Sequence, residues 1–464
     1  MPDQPHICLI VDNPLRDLEG LVLLGRQLAT RGARVTLVPM YEQGFDVPAL
    51  RPDLVVVNYT RPNNADLIKS YKRAGILVGV LDTEGTGGKN ADQFAEIVKT
   101  TGCPDLVDFY CVWGQAQYVA FRDHGTVPEK LLHATGCPRF DFCAAPWREA
   151  LPRPSIGSGY VLINTNFPVA NPRFSSGPAH EEQAMIDVGY TPEFARQFVT
   201  ESAQAYRAVL DTSIRLAQHF ADTQFVLRPH PFENIHSYDR LAELPNAHVI
   251  QHGTSLEWIN GARLLIHQNC STALEAAMLQ VEPLSMEWFN TPSLRLEAPT
   301  SVSRSTTSEA ELFELVRLGL DGQLPPPAPQ VAAARRQIIG DLYTAADGAS
   351  ASRVADVVLA AIEAARRGER VTAATGRPSL RGAVAGAVRR TLGYQASSAL
   401  RRSYGSAENE RRRAGKAFAV EAVNSVLRRV DAASADGRRF AAARAAGHSA
   451  RAMSGMSLQL TEAN

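Results

Sequence analysis

Strand-like and helix-like segments alternate along the first 140 residues of this 464-residue chain, and this alternation constrains the fold more than any other feature. Apolar runs typical of buried strands are separated by stretches whose apolar residues recur at helical spacing. Such alternation predicts a parallel sheet with helices on both faces. The predicted strands are His6–Val11, Val35–Val38, Leu54–Val57, Ile76–Leu81, Phe109–Val112 and Leu131–Thr135.

A second series of the same kind follows a segment rich in proline and glycine, and its predicted strands include Tyr160–Ile163, Phe225–Leu227 and Leu264–Ile266. Because the chain is too long for one ordinary core, two or three domains are expected. We therefore predict an α/β fold in which two Rossmann-like domains face a cleft. The predicted boundaries are 1–145 for the first domain, 146–159 for a linker, 160–367 for the second domain and 368–464 for a basic C-terminal tail.

The charges are distributed unevenly, although the formal net charge is zero. From Arg366 onward there are 19 Lys or Arg and 7 Asp or Glu, which leaves 29 basic and 41 acidic residues in the body. An acidic body argues against general nucleic-acid binding, whereas a basic tail suits an anionic membrane surface. Apolar residues in this Ala- and Arg-rich tail recur at helical spacing, which predicts short basic amphipathic helices. The alternative is a disordered, solubilising tail.

The six cysteines form no CxxC pair, and several lie in apolar runs, which indicates buried, reduced thiols. No basic segment followed by an apolar run marks the N-terminus, and no apolar stretch is long enough to span a bilayer. We therefore expect a cytoplasmic protein, with peripheral association at the inner face of the plasma membrane through the tail.

Two polar loops of the second series predict a nucleotide-binding site. Arg228-Pro229-His230-Pro231 follows one apolar strand, and His267-Gln268-Asn269-Cys270-Ser271-Thr272 follows another. Parallel sheets bind ligands beyond the carboxyl ends of their strands, where a helix start can hold a phosphate. The alternative is a stiff strand exit with a hydrogen-bonded histidine and an ordinary helix cap. The predicted nucleotide-binding residues are Arg228, His230, Pro231, Asn269, Ser271, Thr272 and Glu275.

Three further loops carry candidate polar groups. The segment Asp82-Thr83-Glu84-Gly85 follows a first-domain strand, and its carboxylates are suited to act as a base or a nucleophile. The alternative is that this segment is an exposed turn. Asp141 ends the loop Gly136–Asp141 and either points into the cleft or pairs with Arg139. Asn164 and Asn166 follow a second-domain strand and offer amide groups to sugar hydroxyls, or else belong to an irregular polar loop.

Several familiar motifs are absent from the sequence. There is no zinc-ligand spacing, no P-loop, no GxGxxG after the first strand and no hydrolase nucleophile elbow. Nothing resembles a paired-carboxylate metal site. We therefore expect no metal and no cofactor, so that cationic side chains and helix dipoles would stabilise a leaving phosphate.

Six segments together resemble bacterial surface-carbohydrate biosynthesis proteins of the GT-B glycosyltransferase type, such as retaining transferases of Kdo from its CMP-linked donor. The resemblance spans roughly residues 5 to 365, although the family usually has Asn at the position of Cys137 and a more acidic residue at Thr83. The segments are Leu81–Gly85, Trp113–Gln117, Gly136–Asp141, Leu162–Phe167, Arg228–Pro231 and Asn269–Ala276.

The resemblance implies a role for each group of residues. His230 and the helix start at Ser271 and Thr272 would hold the nucleotide, while Glu84 and Asp141 would face the sugar. In a retaining transferase one carboxylate attacks the anomeric carbon and another assists the acceptor hydroxyl. The provisional assignment is Asp141 as nucleophile and Glu84 as acid/base.

The function expected from this resemblance is transfer of a sugar from a nucleotide-sugar donor, with CMP-Kdo favoured, to a capsule, lipopolysaccharide or lipid-linked acceptor. Three alternatives remain. A sugar-nucleotide epimerase of the same architecture would need no basic tail, and a glycerophosphotransferase of the teichoic-acid type also uses histidine-proline loops. The third alternative is an assembly subunit that has the fold without turnover.

Overall fold

The computed structural model describes residues 4–83, 90–187, 190–343, 346–369, 377–404, 407–448 and 450–463. The chain divides into two compact units. The first combines Met1–Ala150 with Gly340–Asn464, and the second is Leu151–Ile339.

The first unit begins with the predicted alternation of strands and helices. Its first six strands pair in parallel in the order β2-β1-β3-β4-β5-β6. All six residues of the first strand are buried, as expected for a parallel sheet covered on both faces. In chain order the elements are β1 (His6–Val11), α1 (Pro14–Thr30), β2 (Arg34–Pro39), α2 (Gln43–Leu50), β3 (Leu54–Val57), α3 (Pro62–Arg73), β4 (Leu77–Leu81), α4 (Ala91–Thr101), β5 (Phe109–Val112), α5 (Gln115–Asp123) and β6 (Leu132–Ala134).

The second unit contains a six-stranded parallel sheet in the order β12-β11-β10-β7-β8-β9. Six parallel strands with helices between them in each unit confirm the predicted α/β class with two Rossmann-like units. The elements are β7 (Tyr160–Asn164), α6 (Pro178–Asp187), α7 (Pro192–His219), β8 (Phe225–Arg228), α8 (Asp239–Ala242), β9 (Ala247–Val249), α9 (Ser255–Gly261), β10 (Ala262–His267), α10 (Thr272–Met278), β11 (Glu282–Met286), α11 (Glu297–Ser301), β12 (Arg304–Thr306), α12 (Glu309–Leu320) and α13 (Pro329–Tyr343), of which residues 340–343 belong to the first unit.

The strand register of the second sheet places three predicted site segments at one edge. Asn164, the last residue of β7, lies opposite Arg228 of β8 on one side and His267 of β10 on the other. The carboxyl ends of these three neighbouring strands therefore meet, as a ligand site of a parallel sheet requires.

The C-terminal region is part of the first unit, which corrects two predicted boundaries. Residues 340–367 were expected in the second domain and residues 368–464 in a separate tail, but both belong to the first unit. β14 pairs antiparallel with β2, with Leu460 opposite Val35, and β13 pairs with β14. The elements are α14 (Ser350–Arg366), α15 (Leu380–Tyr404), α16 (Ala407–Ala414), α17 (Val420–Ala433), β13 (Phe440–Arg444) and β14 (Leu458–Glu462).

Buried charged contacts attach this C-terminal region to the rest of the unit. The guanidinium of Arg26, in α1, is 1% exposed and lies 2.7 Å from a carboxylate oxygen of Asp431 and 2.6 Å from one of Asp436. Asp46, in α2, accepts the backbone N–H of Ser454 at 2.7 Å. Because breaking a buried ion pair leaves an uncompensated charge, these contacts oppose detachment of the segment.

Truncating Leu460 should destabilise the first unit. This side chain is 3% exposed and packs against α1 beside Gly25, so Leu460→Ala should cost about 2–5 kcal/mol of unfolding free energy through lost burial and a residual cavity. Native-state hydrogen exchange should show faster exchange of the β2 amides, Arg34–Pro39. Val384→Ala, at a side chain 55% exposed, is the control and should leave that exchange unchanged. Equal protection of β2 in both variants would contradict the assignment of β14 to the core sheet.

Candidate functional site

Three loops at the carboxyl edge of the second sheet form the candidate site. We call them the β7 loop (residues 165–171), the β8 loop (residues 229–234) and the β10 loop (residues 268–271). They follow strands that are direct neighbours in the sheet, and side-chain hydrogen bonds join them to one another. Nine of the predicted site residues lie on these loops or on the elements that flank them.

The carboxylate of Glu233 joins the β7 and β8 loops. One oxygen accepts hydrogen bonds from the Thr165 hydroxyl at 2.9 Å, from the Phe167 N–H at 3.0 Å and from the His230 N–H at 2.9 Å. The other oxygen accepts from the Tyr238 hydroxyl. The side chain is fully buried, and burial raises the pKa of Glu233 although all four donors favour its charged form.

Glu233 was not among the residues predicted from the sequence. Its position three residues after His230 is compatible with a carboxylate that folds back onto the N–H groups of its own loop. However, two of its four donors come from the β7 loop, more than sixty residues away, and this pairing is visible only in the folded chain.

The ring of His230 has a defined orientation. Its Nδ1 accepts the backbone N–H of Phe232 at 3.2 Å, so the neutral ring carries its proton on Nε2. Pro229 and Pro231 flank the histidine and restrict the backbone on either side. The half-buried imidazole is therefore held as a hydrogen-bond donor through Nε2.

Arg228 lies at the end of β8 and is partly buried. One of its terminal nitrogens donates to the carbonyl of Gly253 at 2.9 Å, whereas its buried Nε has no hydrogen-bond partner among the described residues. Burial lowers the pKa of Arg228, and the carboxylates of Glu275 and Glu257 oppose that shift. A guanidinium in this position is suited to an additional anionic or carbonyl acceptor.

The amide groups of the β7 segment make contacts inside the protein. Asn164 is 3% exposed and donates through Nδ2 to the Thr272 hydroxyl at 2.9 Å, while its buried Oδ1 has no partner in the described ranges. Asn166 donates to the carbonyl of Asn269 at 3.0 Å. Both asparagines thus connect the β7 and β10 segments, and their predicted contact with sugar hydroxyls stays a prediction.

The β10 loop leads into α10 without the expected side-chain cap. Ser271 is exposed, and its side chain makes no capping hydrogen bond. The hydroxyl of Thr272 is oriented by Asn164 and donates to the Cys270 sulfur at 3.1 Å. Asn269 accepts the Leu296 N–H at 3.2 Å, and Glu275 is buried in the first turn of α10. Among Asn269, Ser271, Thr272 and Glu275, Ser271 is the exposed residue and is therefore accessible to a ligand.

The two carboxylates predicted to be catalytic belong to the first unit. Glu84 lies outside the described residues. Asp141 is 1% exposed and accepts the backbone N–H groups of Ser350 at 2.9 Å and Ala351 at 2.7 Å, at the start of α14. Burial raises the pKa of Asp141 to about 6, against the effect of those donors. These contacts give Asp141 a structural role in its own unit. Its catalytic role stays a prediction, and the burial of its side chain does not favour that role.

Two negative findings concern the described part of the chain. Within those ranges no group of three or more His, Cys, Asp or Glu side chains is placed to hold a metal ion. No helix there is both long and apolar enough to cross a bilayer.

No protein-family model and no curated protein sequence matches the chain. Solved structures similar to it include a UDP-GlcNAc 2-epimerase of Methanocaldococcus jannaschii, with 11% identity and a TM-score of 0.47 over 76% of this chain and 99% of that one. A putative UDP-N-acetylglucosamine 2-epimerase of Listeria monocytogenes has 13% identity and a TM-score of 0.48 over 81% of this chain and 98% of that one. The wall teichoic acid polymerase TagF has 10% identity and a TM-score of 0.49 over 78% of this chain and 90% of that one. These values are too low to assign an activity.

Proposed function

We propose that this protein is a glycosyltransferase that uses a nucleotide-sugar donor, with a CMP-Kdo-like donor favoured, and transfers the sugar to a surface-polysaccharide or lipid-linked acceptor. The observation that supports the proposal is the junction of the β7, β8 and β10 loops at one sheet edge, where Glu233 joins the β7 and β8 loops and Asn166 joins the β7 and β10 loops. This edge carries cationic and hydroxyl donors, the groups that bind phosphate oxygens.

In this proposal the second unit binds the nucleotide through its own side chains. The Nε2–H of His230 and the guanidinium of Arg228 donate to phosphate oxygens, and the Ser271 hydroxyl adds a third donor. Donors fixed before the ligand arrives stabilise the charge that develops on a leaving phosphate. Sugar contacts by Asn164 and Asn166 and catalysis by Glu84 and Asp141 belong to the proposal as well.

Replacing His230 should weaken nucleotide binding without unfolding the protein. Hydrogen bonds to charged groups contribute roughly 1.5–3 kcal/mol, so His230→Ala should weaken binding of CMP, UMP or GMP roughly ten- to hundred-fold. Titration calorimetry measures the affinities, and thermal melting tests for an intact fold. His236→Ala is the matched control, because His236 is an exposed histidine of the same unit. Unchanged affinities in His230→Ala would exclude His230 from the site.

The reaction products separate the proposed transferase from its alternatives. The protein is incubated with CMP-, UDP- and GDP-linked sugars and with CDP-glycerol, with and without a lipid-linked glycan acceptor. A transferase should release nucleotide and extend the glycan only when the acceptor is present, and we expect CMP-Kdo to be the productive donor. Chromatography and mass spectrometry identify the products. Conversion of the nucleotide sugar without acceptor would indicate an epimerase. Extension of the acceptor from CDP-glycerol would indicate a glycerophosphotransferase, and binding without turnover would indicate an assembly subunit.

We also propose that α15 contacts the anionic inner face of the plasma membrane. The helix sequence contains five arginines and no acidic residue. Four of its apolar side chains are exposed, with Leu380 at 84% and Val384 at 55%, followed by Leu392 and Leu400. Basic residues near an anionic surface contribute on the order of 1 kcal/mol each, and inserted apolar side chains add to this.

Replacing the exposed apolar residues of α15 should weaken membrane association. Wild-type protein should sediment with anionic phosphatidylglycerol vesicles at low salt but not with neutral vesicles. The double variant Leu380→Ser, Val384→Ser should bind at least ten-fold less, since burial of each side chain contributes about 1.5–3 kcal/mol. Leu296→Ser, at an exposed leucine of the second unit, is the control. Equal sedimentation of wild type and double variant, or no sedimentation of either, would contradict membrane contact through α15.

A further inference from the structure

A large apolar side chain is exposed in the β8 loop, two residues after the histidine of the proposed nucleotide site. Phe232 is 50% exposed. Its backbone N–H donates to Nδ1 of His230 at 3.2 Å, and the centroids of the two rings lie 5.4 Å apart with their planes at 72°. Single exposed apolar residues are common on protein surfaces, but one that contacts a histidine of a ligand site is placed to touch the ligand as well.

The ring of Phe232 is held in place by the segment that follows the β7 loop. The ring of Phe174 lies 5.6 Å away, centroid to centroid, at an interplanar angle of 77°. The carbonyl of Phe232 accepts the backbone N–H of Arg173 at 2.8 Å, and Pro172 forms an isolated bridge with Glu233. Phe232 is thus fixed in position while about half of its surface stays accessible, as stacking on a ligand ring requires.

Arg173 places a guanidinium beside these two rings. Its Nη1 donates to Oε1 of Gln251 at 3.0 Å, and its Cζ lies 5.2 Å from the centroid of the Phe174 ring. Gln251 donates in turn to the carbonyls of His230 and Glu233, each at 3.0 Å. Arg173 is exposed, and among the described residues it forms an ion pair with no carboxylate. The guanidinium is therefore oriented by neutral groups, and its Nε and Nη2 donors are available to a ligand.

The four common nucleobases differ in how they can bind such a guanidinium. Two parallel N–H groups of an arginine form a pair of hydrogen bonds with two adjacent acceptors. Cytosine has such an edge in N3 and O2, and guanine has one in N7 and O6. In uracil an N–H donor replaces the acceptor at N3, and in adenine N1 and N7 each neighbour an amino group. A guanidinium therefore favours cytosine or guanine over uracil and adenine.

We propose that Phe232 and Arg173 bind the nucleobase of the donor, and that this base is cytosine. Phe232 stacks on the face of the base, and Arg173 donates to its N3 and O2. The base assignment rests on the proposed function, in which the phosphate of a nucleotide lies at His230 and its base lies close by. Of the two bases that suit the guanidinium, cytosine is the one that the proposed CMP-linked donor carries.

The test titrates the full-length protein with CMP, UMP, GMP and AMP by calorimetry, and with cytidine and uridine by saturation-transfer NMR. Wild type should bind CMP about ten-fold more tightly than UMP, because uracil loses one of the two hydrogen bonds to Arg173. Arg173→Gln should abolish this preference and leave the affinity for UMP unchanged. Phe232→Ala should weaken CMP and UMP alike by about ten-fold through lost stacking, and Phe232→Tyr should retain wild-type affinity.

Two matched controls come from the same unit. Tyr190→Ala removes an aromatic side chain that is 51% exposed, and Arg240→Gln removes an exposed arginine that pairs with Asp211. Neither control should change any of these affinities. Thermal melting should show an intact fold in every variant, since Phe232 and Arg173 are both exposed.

Three results would overturn the proposal. They are wild-type binding of UMP that equals that of CMP, tighter binding of GMP than of CMP, and CMP binding that neither Arg173→Gln nor Phe232→Ala changes. Nucleotide binding that depends on His230 but not on Phe232 or Arg173 would overturn the base assignment alone, whereas absence of all nucleotide binding would contradict the proposed function as well. Cytidine and uridine carry no phosphate, so His230→Ala should still prefer cytidine to uridine.

Discussion

The buried carboxylate of Glu233 is the interaction on which the candidate site depends. It is fully buried, and it accepts hydrogen bonds from two backbone N–H groups and two hydroxyls. A buried charge is costly unless its acceptors are satisfied, so these four donors are required to be present together. The pKa of Tyr238 is raised well above its ordinary value by burial and by Glu233, which keeps its hydroxyl a proton donor. The β7 and β8 loops are therefore fixed relative to each other, and the orientation of His230 follows from that arrangement.

The charge asymmetry of the sequence has an intramolecular explanation in the first unit. Two arginines and one lysine of the C-terminal region pair with acidic residues of the N-terminal half. Arg26 and Asp431 show the reverse arrangement, in which the cation belongs to the N-terminal half. Part of the positive charge of the C-terminal region therefore attaches this segment, and the membrane proposal rests on α15 alone. The pairs from the C-terminal region are Arg413 with Glu42, Lys416 with Asp12 and Arg429 with Glu19.

The parts of this protein that were predictable from its sequence depend on local patterns. Apolar runs separated by helical periodicity predicted both sheets, and polar loops after strands predicted the β8 and β10 loops. The features that the sequence did not indicate depend on distant partners. Phe440–Arg444 contains three alanines and few strand-forming residues, so its pairing in the sheet had no local signal. Asp141 resembled a free carboxylate because α14, whose first N–H groups it accepts, begins more than two hundred residues later. Glu233 was missed for the same reason.

Nucleotide binding by a Glu233→Gln variant tests the central claim most directly. The amide keeps the size of the side chain but replaces one acceptor oxygen with an N–H₂ group, so the junction of the β7 and β8 loops should loosen. Titration calorimetry with cytidine, CMP and CDP should show that wild type binds the phosphorylated ligands much more tightly than cytidine. The variant should lose most of that preference while the melting transition of the first unit is retained. Equal binding of cytidine and CMP by wild type, or an unchanged preference in a folded variant, would contradict the account.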